Sequence, residues 1–450
     1  MTDLIASNRK TAIVGMGATG LSVARFLSSR NENFIFVDSR QEPPQLQTVR
    51  QQYPDAPVAL GDFDEDLLCS VDRIVVSPGV SLQESALQAA AAQGIQITGD
   101  VELFFENAKA PTIAITGSNG KSTVTTLVGE MAKACGLNTA VGGNLGTPML
   151  DLLNDSIQLY VLELSSFQLE LLNDSRGAIA TVLNISADHM DRYAGLPQYH
   201  AAKHRIFRGA GKAVVNRQDL LTRPLVSGDV EMFSFGLDKP DINGFGLLED
   251  EGQIWISHQF DLLMPVDEVA LKGRHNLGNA LAALALGKAA GLSMPAMLDT
   301  LKTFTGLAHR CETVAEVNGV LYIDDSKGTN VGATLAALNG FGIEGRRSLI
   351  LIAGGQGKGQ DFTPLREPVG KFTSEVILLG EDAHELEKAL QGLTEIQQVT
   401  SMQQAVEQAH LCAGEGDIVL LSPACASFDM FSGFVERGLC FQQAVKELGQ

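Results

Sequence analysis

The stretch Thr112-Ile-Ala-Ile-Thr-Gly-Ser-Asn-Gly-Lys-Ser-Thr123 constrains this chain more than any other. Thr112 to Ile115 is a short apolar, partly β-branched run and reads as a buried strand. Gly117 and Gly120 frame a turn that holds Ser118 and Asn119, and Lys121-Ser122-Thr123 leads into a helix over 124–135. Strand, glycine turn and helix N-terminus together cradle phosphate, because backbone N–H groups point into the turn and the helix dipole adds partial positive charge. Lys121 then reaches the outer phosphates, and the Ser122 or Thr123 hydroxyl can ligate Mg²⁺. The strict form of this loop has a further glycine where Ile115 stands, so this is a shortened version, Gly-x-x-Gly-Lys-Ser. An ordinary strand–turn–helix joint with a chance lysine is the bland alternative. The agreement of strand, glycines, Lys, Ser and helix favours phosphate.

The chain has 450 residues, enough for about two to four domains. Hydrophobic residues make up 45% and charged residues 19%, so sizeable cores are expected and wholesale disorder is not. A net charge of −20 excludes a broad nucleic-acid surface or an anionic membrane as partner, though a nucleotide needs only a few local donors. The six cysteines include no Cys-x-x-Cys pair, which fits a reducing cytoplasm and supplies neither a zinc site nor a disulfide framework. The start, Met1-Thr-Asp-Leu-Ile-Ala-Ser7, has neither a basic nor an apolar signal region, and no apolar run is long enough for a membrane span. A cytoplasmic protein without membrane insertion is expected.

Taken in order, three α/β regions follow one another: 1–99, 100–305 and 306–450. The first opens with a strand over 11–14, the turn Gly15-Met-Gly17-Ala-Thr-Gly20, a helix, and a second strand ending at Asp38. This matches the dinucleotide fingerprint, with Asp38 on a ribose. The functional reading is nucleotide binding of some kind, and a ligand-free Rossmann-type turn would look the same. The middle region places Glu163-Leu-Ser-Ser166 and Asn184 after strands, where open α/β sheets hold their ligands. Residues 229–270 read as a small antiparallel β excursion. The last region reads as a second parallel sheet with polar loops after its strands, among them Asp325-Ser-Lys327-Gly-Thr329-Asn330 and Ser422-Pro-Ala-Cys-Ala-Ser427.

Glu163, Ser122, His189 and Asp191 could form a magnesium site, since Mg²⁺ takes oxygen ligands. Histidine is a less usual magnesium ligand, and a capped helix with solvated charges explains Asp188–Tyr193 equally well. Lys203 sits beside His204 and Arg205 in a basic patch that composition alone makes a solvated face. Lys327 and Lys358 follow strand ends, where ammonium groups reach anionic oxygens. Arg310 follows a domain junction, where an arginine can clamp a phosphate. Together with the phosphate loop they point to an ATP-dependent enzyme that closes a cleft between domains.

These motifs resemble the Mur ligases of peptidoglycan synthesis almost end to end. The marks are Thr116–Thr123, Glu163-Leu-Ser-Ser, Asn184 before Asp188-His189-x-Asp191-Arg192-Tyr193, Ala-Ala-Lys203, Gly273-x-His275-Asn276-x-x-Asn279 and His309-Arg310. The Asp325 loop and Ser422–Phe431 resemble the branch that adds D-glutamate, with Gly328 a departure from the family's alanine.

The resemblance implies ATP, two Mg²⁺ ions, D-glutamate and UDP-N-acetylmuramoyl-L-alanine as ligands, a monomer, and a fold of three domains: Rossmann-like, phosphate-loop α/β, Rossmann-like. It implies that Ala18, Thr19, Asp38, Ser39, Arg40 and Gly79 hold the UDP moiety, not NAD, with Asn144 and His189 as further substrate contacts. ATP would meet Gly117, Ser118, Asn119, Gly120, Lys121, Ser122, Thr123, Asn276, Asn279, Arg310 and Asp325. D-glutamate would meet Lys327, Thr329, Lys358, Ser427 and Phe434. The metals would lie on Ser122, Glu163, His189 and Lys203, the last N-carboxylated by CO₂. Lys121, Lys203, His189, Asn144 and Lys327 would carry the catalysis.

Overall fold

The computed structural model describes residues 9–190, 192–225 and 230–448. Three α/β units follow one another, each on its own sheet. In the first, Lys10–Val14 lies between Asn33–Asp38 and Arg73–Val76, with Val58–Leu60 and Gln96–Thr98 at the edges, all parallel. Strand order reverses beside Lys10–Val14, so a crevice opens at its C-terminal end. The glycine turn sits there. A Cβ on Gly20 would stand 2.0 Å from the Gly15 carbonyl oxygen, so only glycine lets the helix start this close to the strand.

The central sheet has nine strands. Thr139–Gly143, Leu159–Glu163, Thr112–Thr116, Ile179–Val182, Lys212–Asn216 and Glu231–Phe235 lie side by side in parallel. Helices Lys121–Ala134 and Arg274–Ala289 cover one face, burying Leu127, Val128 and Met131 with Leu281 and Leu284. The expected β excursion is corrected in part. Gly244–Asp250, Gln253–His258 and Asp261–Pro265 form an antiparallel meander, but Glu231–Phe235 is a parallel strand and the meander extends the central sheet. Its alternation shows why: Ile256 is buried and Ile254 is exposed, as in a sheet with one solvated face.

The third sheet runs Glu312–Val317, Val320–Asp324, Ile418–Leu421, Leu349–Ala353, Thr373–Leu378, Glu395–Gln398. It is not wholly parallel, as the sequence reading expects. Its first two strands form an antiparallel hairpin. The turn is Asn318-Gly319, with φ of 52° and 76°, the pairing that two-residue hairpins favour.

The first and central units share one apolar cluster, which runs from Leu27 and Phe36 to Tyr160 and Leu162. The third unit has clusters of its own, around Leu351 and Leu378 on one face and Ile350 and Val419 on the other. Among the described residues, no helix is long and apolar enough to cross a membrane.

Candidate active site

The phosphate loop folds as its sequence dictates. Gly120 is the N-cap of helix Lys121–Ala134 and has φ of 80°, a left-handed conformation that glycine adopts without strain. Asn184 locks the loop from the next strand end: its Oδ1 accepts from Asn119 N at 2.8 Å and its Nδ2 donates to Asn119 O at 3.0 Å. Ser118 Oγ donates to Ser186 O at 2.9 Å. Lys121 Nζ reaches back to the Gly117 and Ser118 carbonyls, both at 2.9 Å, so its ammonium is held over the loop.

Glu163 ends its strand beside this loop. Ser122 Oγ donates to Glu163 Oε2 at 2.6 Å, and Asn144 Nδ2 donates to Glu163 Oε1 at 2.7 Å. Arg310, from beyond the domain junction, donates to Ser122 Oγ at 2.7 Å. The residues on both sides of Arg310, His309 and Cys311, have φ of 60° and 51°. His309 Nδ1 lies 2.7 Å from Asp324 Oδ2, which anchors that bend to the third sheet.

Lys203 is buried, not solvated. Its Nζ donates to Gly117 O at 2.8 Å and stands 4.6 Å from the Tyr199 ring centroid. Burial and the nearby Lys121 ammonium push its pKa well below 10.5. Burial also lowers the pKa of Lys121 itself.

A cavity of about 510 Å³ opens between the central and third units. Its central wall carries Ser118, Asn119, Gly120, Lys121, Ser122, Asn144, Glu163, His189 and Lys203, and its other wall Arg310, Lys327, Thr329, Lys358, Ser427 and Phe434. The structure thus brings together expected residues from segments far apart in sequence. Lys327 Nζ lies 4.1 Å from the Phe434 ring centroid, and burial with the Arg310 and Lys121 charges lowers its pKa to about 8.

Other expected residues lie elsewhere. Ala18, Thr19, Asp38, Ser39, Arg40 and Gly79 sit in the first unit, outside this cavity. Asp38 Oδ2 accepts from Met16 N at 2.6 Å and from Arg40 Nη2 at 2.8 Å. Burial disfavours the Asp38 charge, but Arg40 and the backbone amides outweigh it and hold the pKa below the usual range. Asn279 lines a smaller slot of about 190 Å³ with Asn184, Gln218, Phe235, Leu237 and His275, while Asn276 donates to Lys272 O at 2.8 Å. Thr123 is buried within its helix. Asp325 is buried behind the cavity wall and accepts from Ser422 Oγ at 2.7 Å; burial raises its pKa to about 7. Asp191 lies outside the described residues.

Sequence reasoning gave no role to Tyr199 or Arg192. Tyr199 supplies the ring beside Lys203, and its OH lies 3.2 Å from Ser118 Oγ. The signal was available, since residues four apart share a helix face. Arg192 donates to Pro78 O and Val80 O and so ties the central unit to the loop holding Gly79; nothing local in sequence announces that span.

Three α/β units, a phosphate loop with a buried carboxylate opposite its serine, and a cationic wall from the last unit define an ATP-dependent ligase. The Mur ligase MurD-like N-terminal domain matches residues 9–99, the Mur ligase middle domain 115–287, and the Mur ligase glutamate ligase domain 309–425. A UDP-N-acetylmuramoylalanine–D-glutamate ligase of Pseudomonas aeruginosa is 57% identical over 99% of this chain and 100% of its own length. The protein of that name from Hahella chejuensis is 50% identical over 99% of this chain and 100% of its own. A MurF ligase of Thermotoga maritima solved with ADP shares the fold at a TM-score of 0.60, with 16% identity and 100% of both chains covered. The chain belongs to the Mur ligase family.

Proposed function

We propose that this chain joins D-glutamate to UDP-N-acetylmuramoyl-L-alanine at the expense of ATP, as a cytoplasmic monomer with domains at 1–99, 100–305 and 306–450. The relatives' shared name supports the substrates. The observation that carries the reading is the single cavity that faces Lys121, Glu163 and Lys203 with Lys327, Lys358 and Phe434. One wall suits phosphates and metal, the other an anionic amino acid.

The acceptor's carboxylate oxygen attacks the γ-phosphorus and ADP leaves, giving an acyl phosphate. The neutral D-glutamate amine then attacks the acyl carbon, phosphate leaves, and the nitrogen loses one proton and keeps the other as the amide N–H. A carboxylate needs this activation because its oxide is a poor leaving group. The protein contributes position and charge. Lys121 holds the phosphates, and Gly117, Ser118, Asn119, Gly120 and Thr123 shape the loop. Arg310 completes the ATP site on closure, with Asp325 supporting that wall from behind, and the slot beside Asn276 and Asn279 takes the adenine. Ala18, Thr19, Asp38, Ser39, Arg40 and Gly79 hold the uridine end, with Asn144 and His189 near the reacting end. Lys327, Thr329, Lys358, Ser427 and Phe434 form the D-glutamate site.

The donors fit Mg²⁺. Ser122 and Glu163 offer oxygens at the phosphate loop, and His189 with Lys203 would hold a second ion. Bound there, the ions neutralise phosphate charge. A buried amine with a lowered pKa is the neutral nucleophile that carbamate formation requires: its nitrogen bonds the CO₂ carbon and a proton leaves. The resulting oxygen anion is a better magnesium ligand than an ammonium.

The test is ADP release that requires both UDP-N-acetylmuramoyl-L-alanine and D-glutamate. L-glutamate and diaminopimelate in place of D-glutamate should give background release. Equal rates with either would overturn the assignment of amino acid.

A further inference from the structure

Among the described residues the third unit shares no buried apolar cluster with the other two; it meets the central unit through polar groups and through the Phe341 ring against His275. Asn330 stands in that seam and is 6% exposed. It is the N-cap of helix Val331–Phe341, and its Oδ1 accepts from Ala333 N at 2.8 Å. Its Nδ2 faces the central unit. There it donates to Asp188 Oδ2 at 3.1 Å and more weakly, at 3.4 Å, to Asn119 Oδ1 of the phosphate loop. Asp188 Oδ1 in turn accepts from His189 N at 3.0 Å. One side chain therefore touches a helix of the third unit, the phosphate loop and the segment that carries His189.

The same helix approaches the central unit too closely for side chains. A Cβ on Gly332 would lie 2.5 Å from Ser186 Oγ and 3.0 Å from Asn119 Nδ2, and one on Gly340 would lie 2.3 Å from His275 Nδ1. The glycines lie in the first and last turns of the helix, where alanine is still favoured, by less than the about 1 kcal/mol of a helix interior. Their presence answers to the contact, not to the helix.

We propose that Asn330 is the positioning residue that fastens the third domain onto the nucleotide loop, so that Arg310 and Lys327 reach the reacting groups only when its amide is bonded across the seam. What the closure serves rests on the ligase reading; the closure itself does not.

N330D is the decisive variant. It keeps the capping oxygen but sets a carboxylate against Asp188. Expected are an unchanged melting temperature, a larger radius of gyration by small-angle scattering in ADP and Mg²⁺, and a kcat lower by about tenfold or more. The ATP KM should rise at the same time, because Arg310 no longer completes the nucleotide site, while the KM for the UDP-linked substrate should stay within about twofold. The double variant D188N/N330D restores the pair with donor and acceptor exchanged, and should regain the compact form. G332A leaves every charge in place but wedges the same seam, and should open the molecule without weakening its helix. Wild-type compactness and turnover in N330D would overturn the proposal, as would a double variant as expanded as N330D. A wild-type protein that compacts but releases no ADP with both substrates would instead count against the ligase reading alone.

Discussion

The chain uses the same backbone device twice, at Gly15–Gly20 and at Gly117–Ser122, and gives it two different chemistries. Each turn follows the central strand of its crevice, and each leads into a helix whose N-cap is a glycine without a side-chain cap, Gly17 in one and Gly120 in the other. After the glycine the first turn continues Ala18-Thr19 and the second Lys121-Ser122. The carboxylates at the neighbouring strand ends also differ in use. Asp38 accepts a turn amide, Met16 N, and so fills part of the first cradle with negative charge. Glu163 accepts a hydroxyl, Ser122 Oγ, and the loop amide of Asn119 is taken by Asn184 Oδ1 instead. Around the second turn Lys121, Lys203 and Arg310 converge; around the first, Arg40 is taken up by Asp38. Glycine spacing therefore specifies the shape of such a turn, and the residues after it specify the charge that lines it.

The sharpest way to break this contrast is Lys121→Ala. Loss of the only ammonium on the loop itself should lower substrate-dependent ADP release by about 10³-fold. Uridine diphosphate binding at the first turn, measured by calorimetry, should stay within about twofold. Wild-type turnover would remove the phosphate-loop assignment. Lys203→Ala comes next, at roughly 10²-fold in kcat. A short-chain carboxylate added to the assay should recover part of the loss, since it can supply the missing oxygen anion. Full activity without the additive would remove the carbamate from the site.

How far such contrasts are legible in sequence depends on their range. Both turns could be read directly, because strand, glycines and helix lie within about fifteen residues and each imposes its own local pattern. The Asn318-Gly319 hairpin is equally local, since an Asn-Gly pair between two apolar runs is its signal. Lys203 could not be read. A lysine next to His204 and Arg205 looks solvated until the fold carries it beneath the phosphate loop, and only resemblance separated it from its neighbours. The same holds for Arg192 and Asn330, whose partners are far away in sequence. The Asp325 loop was legible as a strand end, but not the inward turn of its carboxylate onto Ser422.

At the first turn, Asp38→Asn tests the other half of the comparison. The amide keeps one acceptor for Met16 N but loses the charge that pairs with Arg40. The KM for the UDP-linked substrate should rise by about tenfold with kcat little changed, the mark of an interaction present in ground and transition states alike. An equal fall in kcat would mean that the first turn takes part in the chemistry, and the division of labour between the two turns would fail.

The smallest effect separates the strand-end carboxylates by pH. The folded pKa of Asp38 is lowered, so its share of stability is present above the unfolded value near 3.8 and is lost as pH falls. Asp325 has the opposite sign. Burial raises its folded pKa to about 7, so the folded state binds the extra proton between the two values. Its contribution is fully present below about 3.8 and is lost as pH rises toward 7. The Asp325→Asn variant cannot titrate there, so between pH 4 and 7 its melting temperature should rise relative to wild type by a few degrees. Parallel melting curves for the two proteins across that range would show that Asp325 is ionised throughout, and that Arg310 and the cavity outweigh its burial.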